Sequence, residues 1–345
     1  MSKAADLAKM IGTINLDTAA TTYSNQGSTF LTDFTTSIND GARLGNKNLV
    51  INGAMRIAQR SQAAVTGLGT ASFGYGGIDR FAYYLGNSAG RFTMEQSTDA
   101  PTGFQNSMKI SCTTADTSIA VNEYFDIVQA IEGQDLQHLR YNTSEARTTV
   151  VSFYVKGNAA ANYSFFIQYQ PQGGTARWFT KAVPVTTSWV RHSFVIPGDT
   201  ITGGSYGIQD DNNGRMSMGW WFHGGTNYSS GTFADGSWAD RDYTKAFNDS
   251  QTSFFDSTSR TFFLTGVQFE VGDTVTDFEH EAFSVTLRKC QRYYQKTFVY
   301  AQPSVQDPAT TGGTISGPAH SDAAYKNICQ WWFQEVMRST PTITT

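Results

Sequence analysis

Residues 224–256 carry side chains of the types that bind sugars. Aromatic residues alternate there with asparagine, aspartate and arginine in a stretch rich in glycine and serine. Sugars present apolar C–H faces, which aromatic rings cover, and hydroxyl edges, which amides, carboxylates and guanidinium groups bridge. The segment therefore predicts carbohydrate binding, although core or subunit-interface packing is the alternative for each aromatic residue. The candidate binding residues, which include one tryptophan from an earlier strand, are Trp178, Tyr228, Trp238, Asp240, Arg241 and Tyr243.

Five aspartates in the same segment raise the question of catalysis. A glycosidase needs two facing carboxylates about 5–10 Å apart. These aspartates alternate with glycine, serine and asparagine, a composition that favours Asx-type loop structure. The sequence contains no nucleophile elbow, zinc-protease helix, phosphate loop or dinucleotide fingerprint. We therefore predict a binding protein, not an enzyme, with a polysaccharide depolymerase as an alternative. The five aspartates are Asp235, Asp240, Asp242, Asp249 and Asp256.

Residues 210–214, with the sequence DDNNG, form a dense run of oxygen ligands. Asp210, Asp211 and Asn213 are the candidate ligands, and Ca²⁺ is the ion that such oxygen donors suit. The run lacks the spacing of an EF-hand loop, so a plain turn closed by the aspartate side chains is the favoured interpretation. We expect no other cofactor.

Histidine and cysteine positions predict neither a zinc site nor a disulfide framework. His223 and His280 are far apart in sequence and have no cysteine near them. The three cysteines, Cys112, Cys290 and Cys329, are also widely spaced and contain no CxxC pair. An odd number cannot pair completely within one chain, so we expect reduced, partly buried thiols.

The composition favours short strands and turns. Of 345 residues, 24 are Phe, 16 Tyr and 32 Gly, while only 16% are charged. Aromatic residues suit strands, and glycine suits the turns between them. The net charge of −4 gives no support for nucleic-acid binding. The sequence shows no run of 18 apolar residues and no signal-peptide pattern, so we expect neither membrane insertion nor Sec export.

Strand-like segments recur between residues 47 and 281 with turn residues between them. Residues 146–156 (ARTTVVSFYVK), 162–170 (NYSFFIQYQ) and 261–271 (TFFLTGVQFEV) alternate most clearly. Residues 49–51 and 55–58 also read as short strands. Regular spacing without intervening helices predicts a mainly β fold, an antiparallel β-sandwich or jelly roll over residues 47–281.

The two ends of the chain differ from this region. Residues 1–46 are predicted to form an extended, threonine-rich arm that starts with a short helix, and to become ordered by assembly. A flexible leader is the alternative. Residues 282–345 predict a helix followed by a β region, with strands at 297–302 and 325–337. The last residues resemble the start of another strand, so we expect the natural chain to continue.

Several strings within residues 47–295 form a recognisable set. They are residues 48–53 (NLVING) with 59–60 (QR), 79–81 (DRF), 152–156 (SFYVK), 268–272 (QFEVG) with 277–280 (DFEH), and 290–294 (CQRYY). As a set they resemble a domain common in bacteriophage tail-fibre and other virion-appendage proteins. Glu281 and Phe81 depart from the pattern, which usually has Arg and Trp at these positions. Neither change removes an obvious catalytic group.

The resemblance implies a carbohydrate-binding-module-like jelly roll carried on a virion. It implies a tail-fibre subunit, made in the host cytoplasm, that contacts other virion proteins of the tail or head through residues 1–44. Host-surface polysaccharide would be its ligand, and a homotrimer its assembly, because phage fibres are typically trimers. A capsid-decoration or head-fibre protein built from the same domain is the first alternative, and a depolymerase is the second.

Overall fold

The computed structural model describes residues 47–201, 206–247, 250–300, 302–304 and 332–343. Within these residues the chain forms fifteen β-strands and one α-helix, α1 (Phe283–Gln291). The predicted arm, residues 1–46, lies outside the described residues, so its helix and its role stay predictions. No helix among the described residues is long and apolar enough to span a membrane.

Two large antiparallel sheets contain nearly all of the strands. The six-stranded sheet consists, in spatial order, of β1 (Val65–Leu68), β4 (Arg91–Ser97), β5 (Ser107–Thr114), β15 (Thr261–Val271), β7 (Thr149–Gly157) and β11 (Val190–Ile196). The seven-stranded sheet consists of β14 (Trp238–Asp240), β10 (Arg177–Val185), β8 (Ala161–Tyr169), β13 (Gly214–Gly224), β6 (Tyr124–Glu132), β3 (Ala82–Gly86) and β2 (Phe73–Tyr75). A small third sheet pairs β9 (Pro171–Gln172) with β12 (Tyr206–Ile208).

The chain crosses repeatedly from one large sheet to the other. It does so between β3 and β4, between β5 and β6, between β6 and β7, and between β7 and β8. Strands adjacent in sequence therefore often lie in opposite sheets. This arrangement is a jelly-roll sandwich, and it confirms the predicted fold class. The predicted strand at residues 261–271 is β15, the strand between β5 and β7.

The main core lies between the two sheets and is largely aromatic. Trp220 is fully buried and meets the ring of Phe153 edge-to-face at 5.1 Å. Phe125 lies 4.6 Å from Phe92 across the same space, measured between ring centroids. Burial of each such side chain contributes roughly 1.5–3 kcal/mol, so the inward-facing positions of both sheets hold the sandwich together.

The predicted short strands at residues 49–51 and 55–58 are wrong, because this segment is a turn held by side chains. Gln129 accepts from the backbone N–H of Ile51 at 2.8 Å and donates to its carbonyl at 2.9 Å, in place of a neighbouring strand. Asn52 has a φ of 65° and bonds both backbone groups of Ile57 with its amide. Gly53 follows because a Cβ there would lie 2.0 Å from the carbonyl oxygen of Val267.

After β15 the chain returns to the sandwich through residues 277–280, which we call the hook, and helix α1. Gln268 on β15 accepts from the backbone N–H of Glu279 at 2.7 Å, and Glu279 in turn accepts from the backbone N–H of Asn48 at 2.9 Å. The motif strings at both ends of residues 47–295 therefore meet in one hydrogen-bonded network. Their role in the structure is to close the sandwich.

The described part of the predicted C-terminal β region contains no strand. Residues 297–300, 302–304 and 332–343 form bends, turns and irregular chain. The predicted strand at 297–302 is therefore wrong over the residues that are described, and most of the predicted strand at 325–337 lies outside them. Apolar composition alone was a poor guide here because the apolar positions do not alternate.

Candidate functional site

Alternation along the strands gives the seven-stranded sheet a second apolar face, directed away from the main core. Phe125 and Trp220 point inward, whereas their neighbours Asp126 and Trp221 point outward. Trp178 lies on the same outer side, while Phe179 points into the core. Alternate residues of these strands therefore point outward, and together they form the outer face.

One half of this outer face is covered by the segment between β13 and β15. Trp178 and Trp221 stack there with their ring centroids 6.2 Å apart. Phe247 meets Trp221 edge-to-face at 5.4 Å, and Tyr228 lies 5.5 Å from Trp221. The predicted binding segment thus folds back over the sheet and buries both tryptophans, which are 3% exposed.

The other half, over β2 and β3, is open. Phe73, Tyr75 and Tyr84 are 46%, 36% and 40% exposed. The ring of Phe73 lies 4.9 Å from Tyr84 and 5.6 Å from Tyr75, so the three form one continuous apolar surface. Further tyrosines border it where the covered half begins. We call the whole set the aromatic rim: Phe73, Tyr75, Tyr84, Tyr124, Tyr228 and Tyr243.

Asp126 lies beneath the rim. It pairs in register with Tyr84 on β3 and with Trp221 on β13, so it occupies the centre of a row across the sheet. Its side chain is buried, and its Oδ1 atom has no hydrogen-bond partner among the described residues. Among the described residues the indole N–H groups of Trp178 and Trp221 also lack a partner. A buried polar group without a partner costs stability.

The carboxyl and phenol groups at the rim are uncharged, whereas the guanidinium groups of Arg60 and Arg241 lie over the rings of Tyr75 and Tyr243. Burial raises the pKa of Asp126 well above its ordinary value of 3.8, which favours the neutral carboxyl group. Burial raises the pKa of Tyr84 and of Tyr124, and Asp126, where it is ionised, raises it further. The phenol groups therefore keep their protons and both donate and accept hydrogen bonds. Such a surface can exchange hydrogen bonds with a hydroxyl-rich ligand.

The structure brings together four of the six residues predicted to bind a sugar. Trp178, Tyr228 and Tyr243 meet on the outer face, with Tyr243 edge-to-face on Trp178 at 5.5 Å. Arg241 lies over the ring of Tyr243, 5.2 Å from its centroid. Trp178 is a buried support of the rim, whereas Tyr243 is 46% exposed.

Trp238 and Asp240 lie elsewhere. Trp238 packs edge-to-face on Tyr141 and Tyr169, both at 5.5 Å, and donates its indole N–H to the carbonyl of Pro197 at 2.7 Å. Asp240 accepts from the buried guanidinium of Arg177 at 2.6 Å. Both side chains thus have partners of their own at the edge of the sheet, away from the rim. That they bind a ligand stays a prediction.

The other aspartates considered for catalysis also pair with cations. Asp235 accepts from Lys181 at 2.7 Å, Asp242 lies 3.2 Å from Lys245, and Asp256 pairs with Arg260. Asp249 lies outside the described residues. These pairings agree with loop structure, the favoured interpretation of these residues.

The predicted metal run at residues 210–214 forms a turn closed by side chains. Asp211 accepts from the backbone N–H of Asn213 at 3.1 Å and pairs with the guanidinium of Arg215. The bond from Arg215 is the main cause that holds the pKa of Asp211 far below its ordinary value. A guanidinium thus already neutralises this carboxylate. Ca²⁺ binding by Asp210, Asp211 and Asn213 stays a prediction.

Sequence reasoning missed Asp126, Tyr84 and Phe73. Asp126 and Tyr84 lie in strand-like segments, and Phe73 lies in β2, within a stretch whose glycine and serine content is typical of a loop. The partner strands decide which of these residues share a row. Asp126 was the available signal, because an aspartate at a position flanked by Phe125 and Ile127 is unusual in a strand.

Comparisons with known proteins give distant structural likenesses. No protein-family model matches the chain, and no curated protein matches its sequence. A family 11 carbohydrate-binding module from Clostridium thermocellum, in complex with a beta-1,3-1,4-mixed-linked tetrasaccharide, is 14% identical, with a TM-score of 0.30, over 60% of this chain and 94% of that one. A putative sugar binding protein from Bacteroides thetaiotaomicron is 10% identical, with a TM-score of 0.31, over 65% of this chain and 100% of that one.

A virion protein is among the similar structures. The enzymatically active domain of tailspike protein 4 from bacteriophage CBA120 is 12% identical, with a TM-score of 0.32. The match covers 66% of this chain and 22% of that one. At these TM-scores and sequence identities, the likenesses say nothing about the ligand or the activity of this chain.

Proposed function

We propose that this chain binds the glycan of a bacterial surface through the aromatic rim, as a subunit of a virion appendage. The observation that supports binding most directly is the open half of the outer face. There, the exposed rings of Phe73, Tyr75 and Tyr84 form one continuous surface. Rings cover the C–H faces of sugars, and the tyrosine hydroxyls can donate to and accept from sugar hydroxyl groups.

Charge and exposure favour this ligand class over others. The net charge of −4 gives no support for binding of nucleic acid. A flat row of half-exposed rings also differs from the deep apolar pocket that encloses a small hydrophobic molecule. An extended polysaccharide fits an open face on a sheet, because successive sugar units can lie across successive strands.

The virion assignment rests on the resemblance of residues 47–295 to appendage proteins. The motif strings meet in the network that closes the sandwich, which is a reason for them to occur together. Under this proposal residues 1–44 attach the chain to other virion proteins, and copies of the chain assemble as a homotrimer. Attachment to the tail is the primary proposal, and attachment to the head as a capsid-decoration protein is the alternative.

Binding is tested with purified surface polysaccharide of the host by isothermal titration calorimetry. We expect binding by the wild-type chain and weaker binding by Tyr84→Ala. Val195→Ala is the matched control, because Val195 is exposed on the other sheet. Equal binding by all three proteins, or none by the wild type, contradicts the proposal.

The same incubation separates binding from catalysis. A reducing-end assay detects cleavage, and a product that disappears on Asp→Asn changes at residues 235–256 would make the chain a depolymerase. Location is tested separately by antibody labelling of intact virions in electron microscopy. Label on the tail supports the tail-fibre proposal, label on the head supports the alternative, and absence from virions contradicts both.

A further inference from the structure

Three buried side chains from distant parts of the sequence meet at one end of the sandwich. Asp116 follows β5 of the six-stranded sheet, Glu123 precedes β6, and His223 lies near the end of β13. One possible ligand atom from each residue lies within 4.8 Å of the others. The cluster contains none of the predicted sugar-binding residues, and its Glu123 directly precedes Tyr124 of the aromatic rim.

The orientation of His223 is fixed by hydrogen bonds on both ring nitrogens. Nε2 lies 3.0 Å from a carboxylate oxygen of Glu123, and Nδ1 lies 2.7 Å from the hydroxyl of Ser253. Ser253 also accepts from the backbone N–H of Phe255 at 3.1 Å. A hydroxyl group both donates and accepts, so Ser253 can hold Nδ1 in either tautomer. It therefore supports the ring equally well when the Nε2 lone pair is directed at a metal ion.

Asp116 is held in place in the same way. Its Oδ2 atom accepts from the hydroxyl of Ser88 and from the backbone N–H of Ala89, both at 2.7 Å. Outer partners of this kind orient a ligating carboxylate and fix its position before an ion arrives. Asp116 and Glu123 both lie in the connection between β5 and β6. These hydrogen bonds fix the position of the Asp116 carboxylate near the start of that connection.

The charge of the cluster is not balanced by the protein. Among the described residues neither Asp116 nor Glu123 forms an ion pair with a lysine or an arginine, and both are buried. Two buried carboxylates this close repel each other unless a cation lies between them. A nitrogen donor beside two oxygen donors suits a first-row transition metal, whereas Ca²⁺ prefers oxygen ligands alone.

We propose that Asp116, Glu123 and His223 bind a divalent transition-metal ion of the zinc type. Zn²⁺ is held at about 2.0–2.2 Å by imidazole nitrogen and carboxylate oxygen, and three protein ligands leave a fourth position for water. The ion would replace the proton between His223 and Glu123. It would also join the two sheets, because Asp116 extends from one sheet and His223 lies in the other.

The test uses the full chain without a histidine tag, stripped with a chelator and dialysed. Co²⁺ is titrated in while visible absorption is recorded, and Zn²⁺ is then added to displace it. We expect one ion per chain, with an absorption band typical of a four-coordinate site that Zn²⁺ abolishes. His223→Gln and Asp116→Asn should each weaken Co²⁺ binding at least tenfold. His280→Gln, a change at an exposed histidine on the hook, should bind like the wild type.

A readout on the wild-type protein keeps the test decisive if the variants fail to fold. X-ray absorption at the zinc edge should show a single imidazole and oxygen donors around the ion. A shell of oxygen alone or of several imidazoles overturns the proposal, as does binding by folded His223→Gln equal to the wild type. Absence of Co²⁺ and Zn²⁺ binding by the wild-type chain overturns it as well.

Discussion

Arg292, the residue after helix α1, donates two hydrogen bonds of 2.8 and 2.7 Å to the two carboxylate oxygens of Glu132 at the end of β6. Glu132 is buried, and the hydroxyl of Tyr293 donates to the same carboxylate. The ring of Tyr293 also lies under the guanidinium of Arg80, 3.4 Å from its centroid. The segment after β15 is thereby fixed to the middle of the sandwich.

Glu132→Gln should lower the free energy of unfolding by about 2–3 kcal/mol, because hydrogen bonds to a charged group are worth roughly 1.5–3 kcal/mol and the guanidinium loses its counter-charge. Urea unfolding of both proteins measures the difference. Glu145→Gln is the control, since Glu145 and Arg140 form an exposed pair with a separation of 4.0 Å. That change should stay within about 0.5 kcal/mol. Equal effects of the two changes would show that the buried pair does not hold the segment.

The same pair predicts how stability depends on pH. Burial alone would raise the pKa of Glu132, but the hydrogen bonds from Arg292 and Tyr293 outweigh it and hold that pKa below its ordinary value of 4.5. A depressed pKa in the folded state contributes stability above the unfolded value and loses it as pH falls through the folded value. The wild-type advantage over Glu132→Gln should therefore shrink below about pH 4.5. Denaturant unfolding at pH 7, 4.5 and 3 checks this, and a constant difference would contradict it.

Strand periodicity was enough to predict the sandwich. Residues 261–271 alternate because β15 has a face on each side of the sheet, and residues 146–156 behave similarly in β7. Residues 49–58 were misread because their apolar positions are buried in a turn. The side-chain amides of Gln129, which is distant in sequence, and of Asn52, which lies in the turn itself, satisfy the backbone hydrogen bonds there. Propensity cannot distinguish that arrangement from a short strand.

The sites were harder to predict because they depend on which strands become neighbours. Trp178 and Trp238 look equivalent in sequence, yet Trp238 pairs with Phe179 and shares its inward side, while Trp178 points outward. His223 appeared to lack metal-ligand neighbours because its partners lie far away along the chain. The pairing of β6 with β13 brings Glu123 and His223 together, and the packing of the two sheets brings Asp116, after β5, to them.

Tyr84→Ala should reduce affinity for the host polysaccharide by about tenfold, or about 1.4 kcal/mol, since the exposed ring supplies contact area in the centre of the open half. Tyr84→Phe should lose less, because the ring remains and only the hydroxyl is removed. Titration calorimetry measures both. If Tyr84→Phe and Tyr84→Ala lose the same amount, the hydroxyl and not the ring face makes the contact.

Trp238→Phe should leave polysaccharide affinity unchanged and lower stability by about 1 kcal/mol, because it removes only the hydrogen bond to Pro197 and part of the packing on Tyr141. Calorimetry and urea unfolding of the same sample give the two numbers. A loss of affinity in a variant of normal stability would instead place Trp238 in the binding site, as the sequence predicted.

Asp126→Asn should make the protein more stable at pH 7. Burial raises the pKa of Asp126 in the folded state, so folding at neutral pH must either protonate the carboxyl group or bury its charge. This penalty grows as pH rises above the unfolded value of 3.8 and is absent below it, because there both states bind the proton. The amide has the same shape and no charge, so its advantage should be clear at pH 7 and vanish near pH 3. Asp273→Asn, at an exposed turn, is the control and should show no such gain. A gain that is independent of pH would mean that the charge of Asp126 is not its source.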